Sequence, residues 1–341
     1  MKAAKLYSFN DIRIEEIPIP EIGPHDALMK TKACGICSGD VMPWYIDKKA
    51  PLVPGHEPSG EIVAVGKEAT SFTPGDRVFV HHHAPCFHCR HCKRGDYVQC
   101  ETWRNTKIIP GGISEYILIP GTNLNNDTLA LPESMTYEDG TLIEPAACVV
   151  KALKRAGIKH GDTLLVIGLG VMGQLHILLS RKYGAGKVIG ADMVPFRLEK
   201  AKELGADEVI DVSRHNLIDS LRDITQGTLA DIVIVGPNSI EAMKQGLSAV
   251  GPGGSVVFFT PAKPGEQLTI DPNDLYFRDI NIITSYSCGP ADTADALEII
   301  GEGTVRAGIL ITHRFPIEKT AEAFRLTAEA RNTLKAVILF D

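Results

Sequence analysis

Two patterns of apolar and polar residues divide the chain. Up to about residue 150, apolar residues fall in short β-type runs: KAAKLYSF, IRIEEIPIP, DALMKTKACGIC, GEIVAVG, DRVFVHHH and SEYILIP. Turn residues separate them and helical periods are few, which predicts a β-rich domain. After residue 150, buried-strand runs alternate with helical periods. TLLVIG (163–168) precedes an amphipathic helix to Tyr183. The strand KVIGAD, a helix from Pro195 to Leu204, the strand EVIDV, a helical stretch and the strand ADIVIVG follow. A helix near 239–250 and the runs GSVVFFT and DINIITSY complete the series. Such alternation predicts βαβ units in a parallel, doubly wound sheet, so the fold class is α/β. The last part mixes a helix (293–301), the strand HRFPI, another helix and the strand LKAVILF. It reads as a return to the first domain. The expected boundaries are 1–145, 146–287 and 288–341.

Composition narrows the class. A chain of 341 residues suits two domains, and 44% hydrophobic with 23% charged residues is an ordinary globular mixture. A net charge of −7 disfavours a surface built for nucleic acid or anionic lipid. The apolar window Thr163 to Ser180 is interrupted by glycines, Gln174 and His176, which argues against a membrane span. Eight cysteines change the picture more. They stand at 34, 37, 86, 89, 92, 100, 148 and 288, four of them crowded into one short stretch. Without a secretion signal, such crowding reads as metal binding in a reduced, cytoplasmic chain.

Gly168-Leu169-Gly170-Val171-Met172-Gly173 has the G-x-G-x-x-G spacing, directly after a strand and opening a helix. The first glycine permits the tight turn, the second admits a pyrophosphate, and the third lets helix and sheet approach. Asp192 ends the next strand, where an acid holds the adenosine ribose and repels a 2′-phosphate. NAD is therefore the expected cofactor, with Arg197 a further candidate contact.

Cys86-x2-Cys89-x2-Cys92-x7-Cys100 offers four thiolates to one tetrahedral ion, a closed and hence structural zinc site. Cys37, the pair His56-Glu57, and Glu144 supply a thiolate, an imidazole and carboxylates. That set suits a second, open zinc site with a position left for water or substrate.

Around these residues, Gly55-His56-Glu57-Pro58-Ser59-Gly60-Glu61-Ile62-Val63-Ala64-Val65-Gly66 matches G-H-E-x2-G-x5-G. With Cys34-Gly35-Ile36-Cys37, the four-cysteine lobe and the glycine fingerprint, the chain resembles the zinc-containing medium-chain alcohol dehydrogenases over its whole length. Leu142-Ile143-Glu144-Pro145 resembles the polyol, sorbitol and threonine dehydrogenase branch. The resemblance implies a GroES-like catalytic domain, completed by the C-terminal segment, with a Rossmann domain inserted. It implies two zinc ions per chain, Cys37 and His56 as ligands of the reactive one, and Asp40 orienting the histidine. Glu57 and Glu144 both stand as candidates for the third ligand. Together with Cys37 they would make the centre anionic, so only one is expected to bind directly. The implied reaction passes a hydride from a secondary alcohol to NAD+, with zinc favouring ionisation of the hydroxyl.

The resemblance weakens at the proton relay, where Gly39 and Met42 stand in place of hydroxyl and imidazole side chains. His81-His82-His83 is expected on the strand entering the cysteine lobe; alternation would put His81 and His83 on one face, and the resemblance implies that His82, on the other, faces the substrate pocket. With Trp44 and Tyr45 it implies a polar substrate, such as a polyol, sugar derivative or hydroxy acid. A threonine-dehydrogenase-like or simple secondary-alcohol enzyme is the alternative, and a non-catalytic nucleotide-binding protein the more distant one. An apolar edge formed by GSVVFFT and DINIITSY calls for a covering partner, and the resemblance implies that this edge pairs subunits, so a homodimer or homotetramer is expected. Cys34, Cys148 and Cys288 read as reduced packing residues.

Overall fold

The run Thr163–Ile167 contains no charged residue and is buried almost throughout, as a central parallel strand must be. In this computed structural model, which describes residues 1–341, it lies inside a six-stranded parallel sheet. The order is Glu208–Asp211, Lys187–Asp192, Thr163–Ile167, Ala230–Val235, Val250–Phe258 and Asn281–Thr284. Alternate residues feed two separate apolar layers. Leu165, Ile167, Val233 and Val235 pack with Leu217, Leu221 and Met243. Leu164, Val166, Ile232 and Ile234 pack with Leu169, Ile177 and Leu198. Strand order reverses between Thr163–Ile167 and Ala230–Val235, the position at which doubly wound sheets bind nucleotides.

The chain divides into two compact units, Cys148–Ser287 and the remainder, Met1–Ala147 with Cys288–Asp341. The second of these is built on a seven-stranded, largely antiparallel sheet. It runs Ile311–Pro316, Lys335–Leu339, Ala27–Gly35, Glu57–Val65, Arg77–Val80 and Thr128–Ala130, and Tyr116–Ile119 also pairs with Ala27–Gly35. The last strand, Lys335–Leu339, thus sits beside one of the first, with Val337 opposite Gly35. Buried Ala4, Leu6, Cys34, Ile36, Phe324 and Ile338 form one core of this unit. Cys34 is a packing residue there, and burial pushes its thiol up to about 12.

One local expectation changes. The strand entering the cysteine lobe ends at Val80, so His81, His82 and His83 lie beyond it and strand alternation does not govern them. His81 is fully buried, whereas His82 and His83 are half-buried.

His176 shows how the parallel-sheet unit responds to acid. It lies buried in the helix Val171–Ser180, with Nδ1 2.8 Å from the Met172 carbonyl and its ring edge-on to Phe259. Nε2 has no hydrogen-bond partner, so a second proton would be an unpaired donor in apolar surroundings. Burial accordingly lowers the imidazole from 6.5 to about 4. Above the unfolded value neither state carries the proton; below it the unfolded chain binds one first. Stability is therefore lost as pH falls between 6.5 and about 4, by on the order of 3 kcal/mol. His176→Leu should reduce that acid loss. Urea unfolding at about pH 7 and about pH 5 measures it, and equal losses in both proteins would refute the assignment.

Candidate metal centres and nucleotide site

The four cysteines of the lobe come together without help from distant segments. A helical turn at Arg90–Lys93 and a 3-10 turn at Tyr97–Gln99 fold the loop over buried Trp103 and Val98. Sulfur–sulfur distances are 3.5 Å for Cys89–Cys92, 3.7 Å for Cys100–Cys86 and 4.0 Å for Cys86–Cys92. A tetrahedral zinc with bonds of ~2.3 Å has sulfur edges of ~3.8 Å, so the cage is the right size for this ion.

The open set is assembled across the sheet. Cys37 follows the strand Ala27–Gly35, and His56 and Glu57 stand where the neighbouring strand Glu57–Val65 begins. Ligand atoms of the three residues lie within 4.8 Å of one another. The Gly39 N–H donates to Cys37 Sγ at 3.3 Å. His56 Nδ1 lies 3.3 Å from Asp40 Oδ2, which would leave Nε2 as the nitrogen offered to a bound ion. Burial alone would lower the His56 imidazole, yet Asp40 and Cys37 hold it well above its ordinary value. Glu57 Oε1 is buried and has no hydrogen-bond partner. A thiolate, an imidazole and an unsatisfied carboxylate oxygen around one point fit a zinc ion.

Glu57 has a charged neighbour that the sequence pattern did not single out. Lys335, almost fully buried, forms an ion pair with Glu57 Oε2 and donates to the Ile36 carbonyl at 3.0 Å. Burial pushes the Glu57 carboxyl up, Lys335 opposes that, and Glu144 adds to the rise, leaving it above the ordinary carboxylate range. Gly35 makes the pair possible, because a Cβ there would stand 2.0 Å from Glu57 Oε2 and 2.8 Å from Lys335 Cε. A lone cation inside the apolar run LKAVILF was the available signal for Lys335.

Glu144 is placed differently. It occupies the first turn of the helix Ile143–Ala156, and its carboxylate groups with His81 and Cys288 rather than with Cys37, His56 and Glu57. The His82 ring lies tilted beside His56, with centroids 4.9 Å apart, and His83 lies tilted beside His82 at 4.1 Å and Trp103 at 4.3 Å. Burial, with His83 and His56 adding repulsion, keeps His82 neutral well below its usual value. Trp44 and Tyr45 lie edge-to-face in the short helix Pro43–Ile46, with Lys49 3.7 Å over the Tyr45 ring.

In the parallel-sheet unit, Gly168 takes φ +86°, and a Cβ on Gly173 would lie 2.1 Å from the Gly168 carbonyl oxygen. Gly170 caps the helix that Val171, Met172 and Gly173 open, without a side chain of its own across the first-turn N–H groups. That is the geometry of a diphosphate cradle. Asp192 Oδ2 accepts from the Leu169 N–H at 2.7 Å, tying the glycine turn to the end of the second strand. Its Oδ1 accepts from the Met193 and Val194 N–H groups at 2.7 and 2.9 Å. Arg197 Nη1 lies 3.5 Å from the same carboxylate.

Comparison with known proteins gives the family. Residues 23–129 match the alcohol dehydrogenase GroES-like domain, and residues 171–302 match the zinc-binding dehydrogenase family. Sorbitol dehydrogenase of Bombyx mori is 32% identical, covering 98% of this chain and 97% of the relative. L-threonine 3-dehydrogenase of Rhizobium etli is 30% identical over 91% of this chain and 90% of its own. A zinc-binding dehydrogenase from Sinorhizobium meliloti, solved bound to NADP, superposes with a TM-score of 0.89 at 27% identity, covering 99% of both chains. The chain belongs to the zinc-containing medium-chain alcohol dehydrogenases, in the polyol branch, and the GroES-like and Rossmann-type architecture is that of the family.

The Lys335–Glu57 pair is open to a direct check. Lys335→Met leaves a buried carboxylate without its counter-charge and should cost about 3–5 kcal/mol, whereas Glu57→Gln with Lys335→Met should recover much of it. Gly35→Ala, which drives a methyl into the same pair, should cost about 1–3 kcal/mol. Chemical unfolding of these metal-depleted variants, with Glu57→Gln alone to complete the cycle, measures them, and a double variant no more stable than Lys335→Met would count against the coupling.

Proposed function

We propose that the protein is an NAD-dependent zinc dehydrogenase that reversibly oxidises a secondary alcohol of a polyol, sugar alcohol or related polar hydroxy compound. The observation that carries this reading is the convergence of Cys37, His56 and the unsatisfied Glu57 Oε1 on one point. These three residues are assigned to the reactive zinc, and Cys86, Cys89, Cys92 and Cys100 to a structural one. The segments 1–145 and 288–341 are assigned as the catalytic domain and 146–287 as the NAD-binding domain. A zinc ion in the open pocket would act as a Lewis acid toward the substrate hydroxyl, and NAD+ would supply the hydride acceptor.

The side chains perform the rest. Asp40 fixes the tautomer and direction of His56, and the Gly39 N–H steadies the Cys37 thiolate. Lys335 compensates the Glu57 carboxylate, so a centre with two anionic ligands does not lose its electrophilic character. Neutral His82, with Trp44 and Tyr45, is assigned to the wall of the substrate pocket, where an imidazole hydrogen-bonds further hydroxyl groups. Gly168, Gly170, Val171, Met172 and Gly173 are assigned to the diphosphate. Asp192 and Arg197 are assigned to the adenosine ribose, the carboxylate disfavouring a 2′-phosphate. The Sinorhizobium relative holds NADP, so the preference of this chain requires its own measurement.

The likeness to L-threonine 3-dehydrogenase supports a second reading, in which the substrate is an amino alcohol. The edge strand Asn281–Thr284 exposes Ile282, with Tyr276 and Phe277 exposed on the preceding helix, and supports a homodimer or homotetramer through that edge. The grouping of Cys86, Cys89, Cys92 and Cys100 for a metal instead of disulfides favours a reducing compartment, the cytoplasm. No helix is long and apolar enough to cross a membrane.

A reduction screen with NAD+ and NADP+ against polyols, sugar alcohols, inositols, hydroxy acids and amino alcohols decides between the readings. Polyols with NAD+ should give the highest kcat/KM; a preference for amino alcohols would replace the substrate assignment with the second one. Cys37→Ser should lower turnover on the order of a thousandfold while the four-cysteine lobe keeps its metal. Normal turnover in that variant would remove the catalytic assignment.

A further inference from the structure

We propose a third metal site, for a zinc-like divalent cation, formed by His81, Glu144 and Cys288. It rests on the reading above only in leaving Glu57, and not Glu144, with Cys37 and His56. Ligand atoms of the three residues lie within 4.8 Å of one another, the same closeness found in the other two groups. His81 and Cys288 are wholly buried and Glu144 nearly so. His81 Nε2 stands 3.7 Å from Cys288 Sγ. A tetrahedral zinc with bonds of ~2.0 Å to nitrogen and ~2.3 Å to sulfur has a nitrogen–sulfur edge of ~3.5 Å. The existing pair is therefore close to one edge of a coordination polyhedron.

The far side of the imidazole is built as metal-binding histidines are. His81 Nδ1 lies 2.6 Å from Asp127 Oδ2, and the other carboxylate oxygen accepts from Thr293 Oγ1 at 2.6 Å. The backbones are tied as well, with the His81 N–H donating to the Asp127 carbonyl at 3.1 Å. This arrangement fixes the tautomer and turns Nε2 toward Cys288 and Glu144. A divalent ion with one thiolate, one carboxylate and a neutral imidazole is formally neutral, the charge state a buried pocket accepts most readily. Mixed sulfur, nitrogen and oxygen donors select a borderline cation such as zinc over magnesium or calcium. The ion would join three segments far apart in sequence: the stretch after Val80, the helix starting at Ile143, and the point at Cys288 where the chain re-enters this unit. Cys288 would then be a ligand and not a packing residue.

Cadmium-113 NMR of the cadmium-loaded protein tests the proposal, because each ligand set gives its own signal. Wild type should show three resonances, one for each group, and Cys288→Ala should lose only the mixed sulfur–nitrogen–oxygen one. Cys37→Ser should lose a different resonance; if it loses none, the catalytic assignment fails while this one stands. Thr293→Ala leaves every ligand in place and should weaken cadmium binding at this site about tenfold. Two resonances in wild type, or three that all survive in Cys288→Ala, would overturn the site. Should Cys288→Ala not fold, the wild-type count still decides.

Discussion

A glutamate and a lysine, both sealed from water, set the terms for the metal-binding unit. Glu57 brings negative charge to a pocket that also holds Cys37 and lies near a second carboxylate. Such a concentration of charge in a low-dielectric interior is unstable unless cations are fixed beside it. Lys335 supplies one from the opposite end of the sequence, and its strand must lie against Ala27–Gly35 for the ammonium to reach. Gly35 must lack a side chain for the two to meet. Sheet register, a glycine and an ion pair are therefore one constraint, and the rest of the pocket is arranged around it.

The same constraint bears on the two glutamates. From charge alone, Glu57 and Glu144 are competitors for one ion, since two carboxylates with a thiolate leave the centre anionic. The structure separates them in space, one grouped with Cys37 and His56, the other with His81 and Cys288. The two carboxylates still repel one another, and both lie near enough to Lys335 to raise its ammonium.

How much of this was legible depended on the distance along the chain between cooperating residues. The cysteine lobe and the glycine turn are local: their spacing encodes their geometry, and both could be read directly. The parallel, doubly wound sheet itself followed from alternating periods, although its strand order did not. Lys335 was not read because its partner lies far away, and a single lysine in an apolar run resembles the snorkelling residue of an ordinary edge strand. His81, Asp127, Thr293 and Cys288 escaped for the same reason, being brought together only by tertiary burial. The triple histidine was misassigned to a strand because DRVFVHHH continues a β-type pattern past the point where pairing with Thr128–Ala130 stops.

Threading the final strand beside the first long one has a temporal consequence. A chain made from its N-terminus completes Cys148–Ser287 before Lys335 exists, so the nucleotide-binding unit is free to fold on a growing polypeptide. The sheet that carries Cys37, His56 and Glu57 must meanwhile wait with a gap beside Ala27–Gly35. The pocket of Cys37, His56 and Glu57 is therefore among the last parts of the molecule to mature, and an unfinished chain leaves Glu57 without its counter-charge.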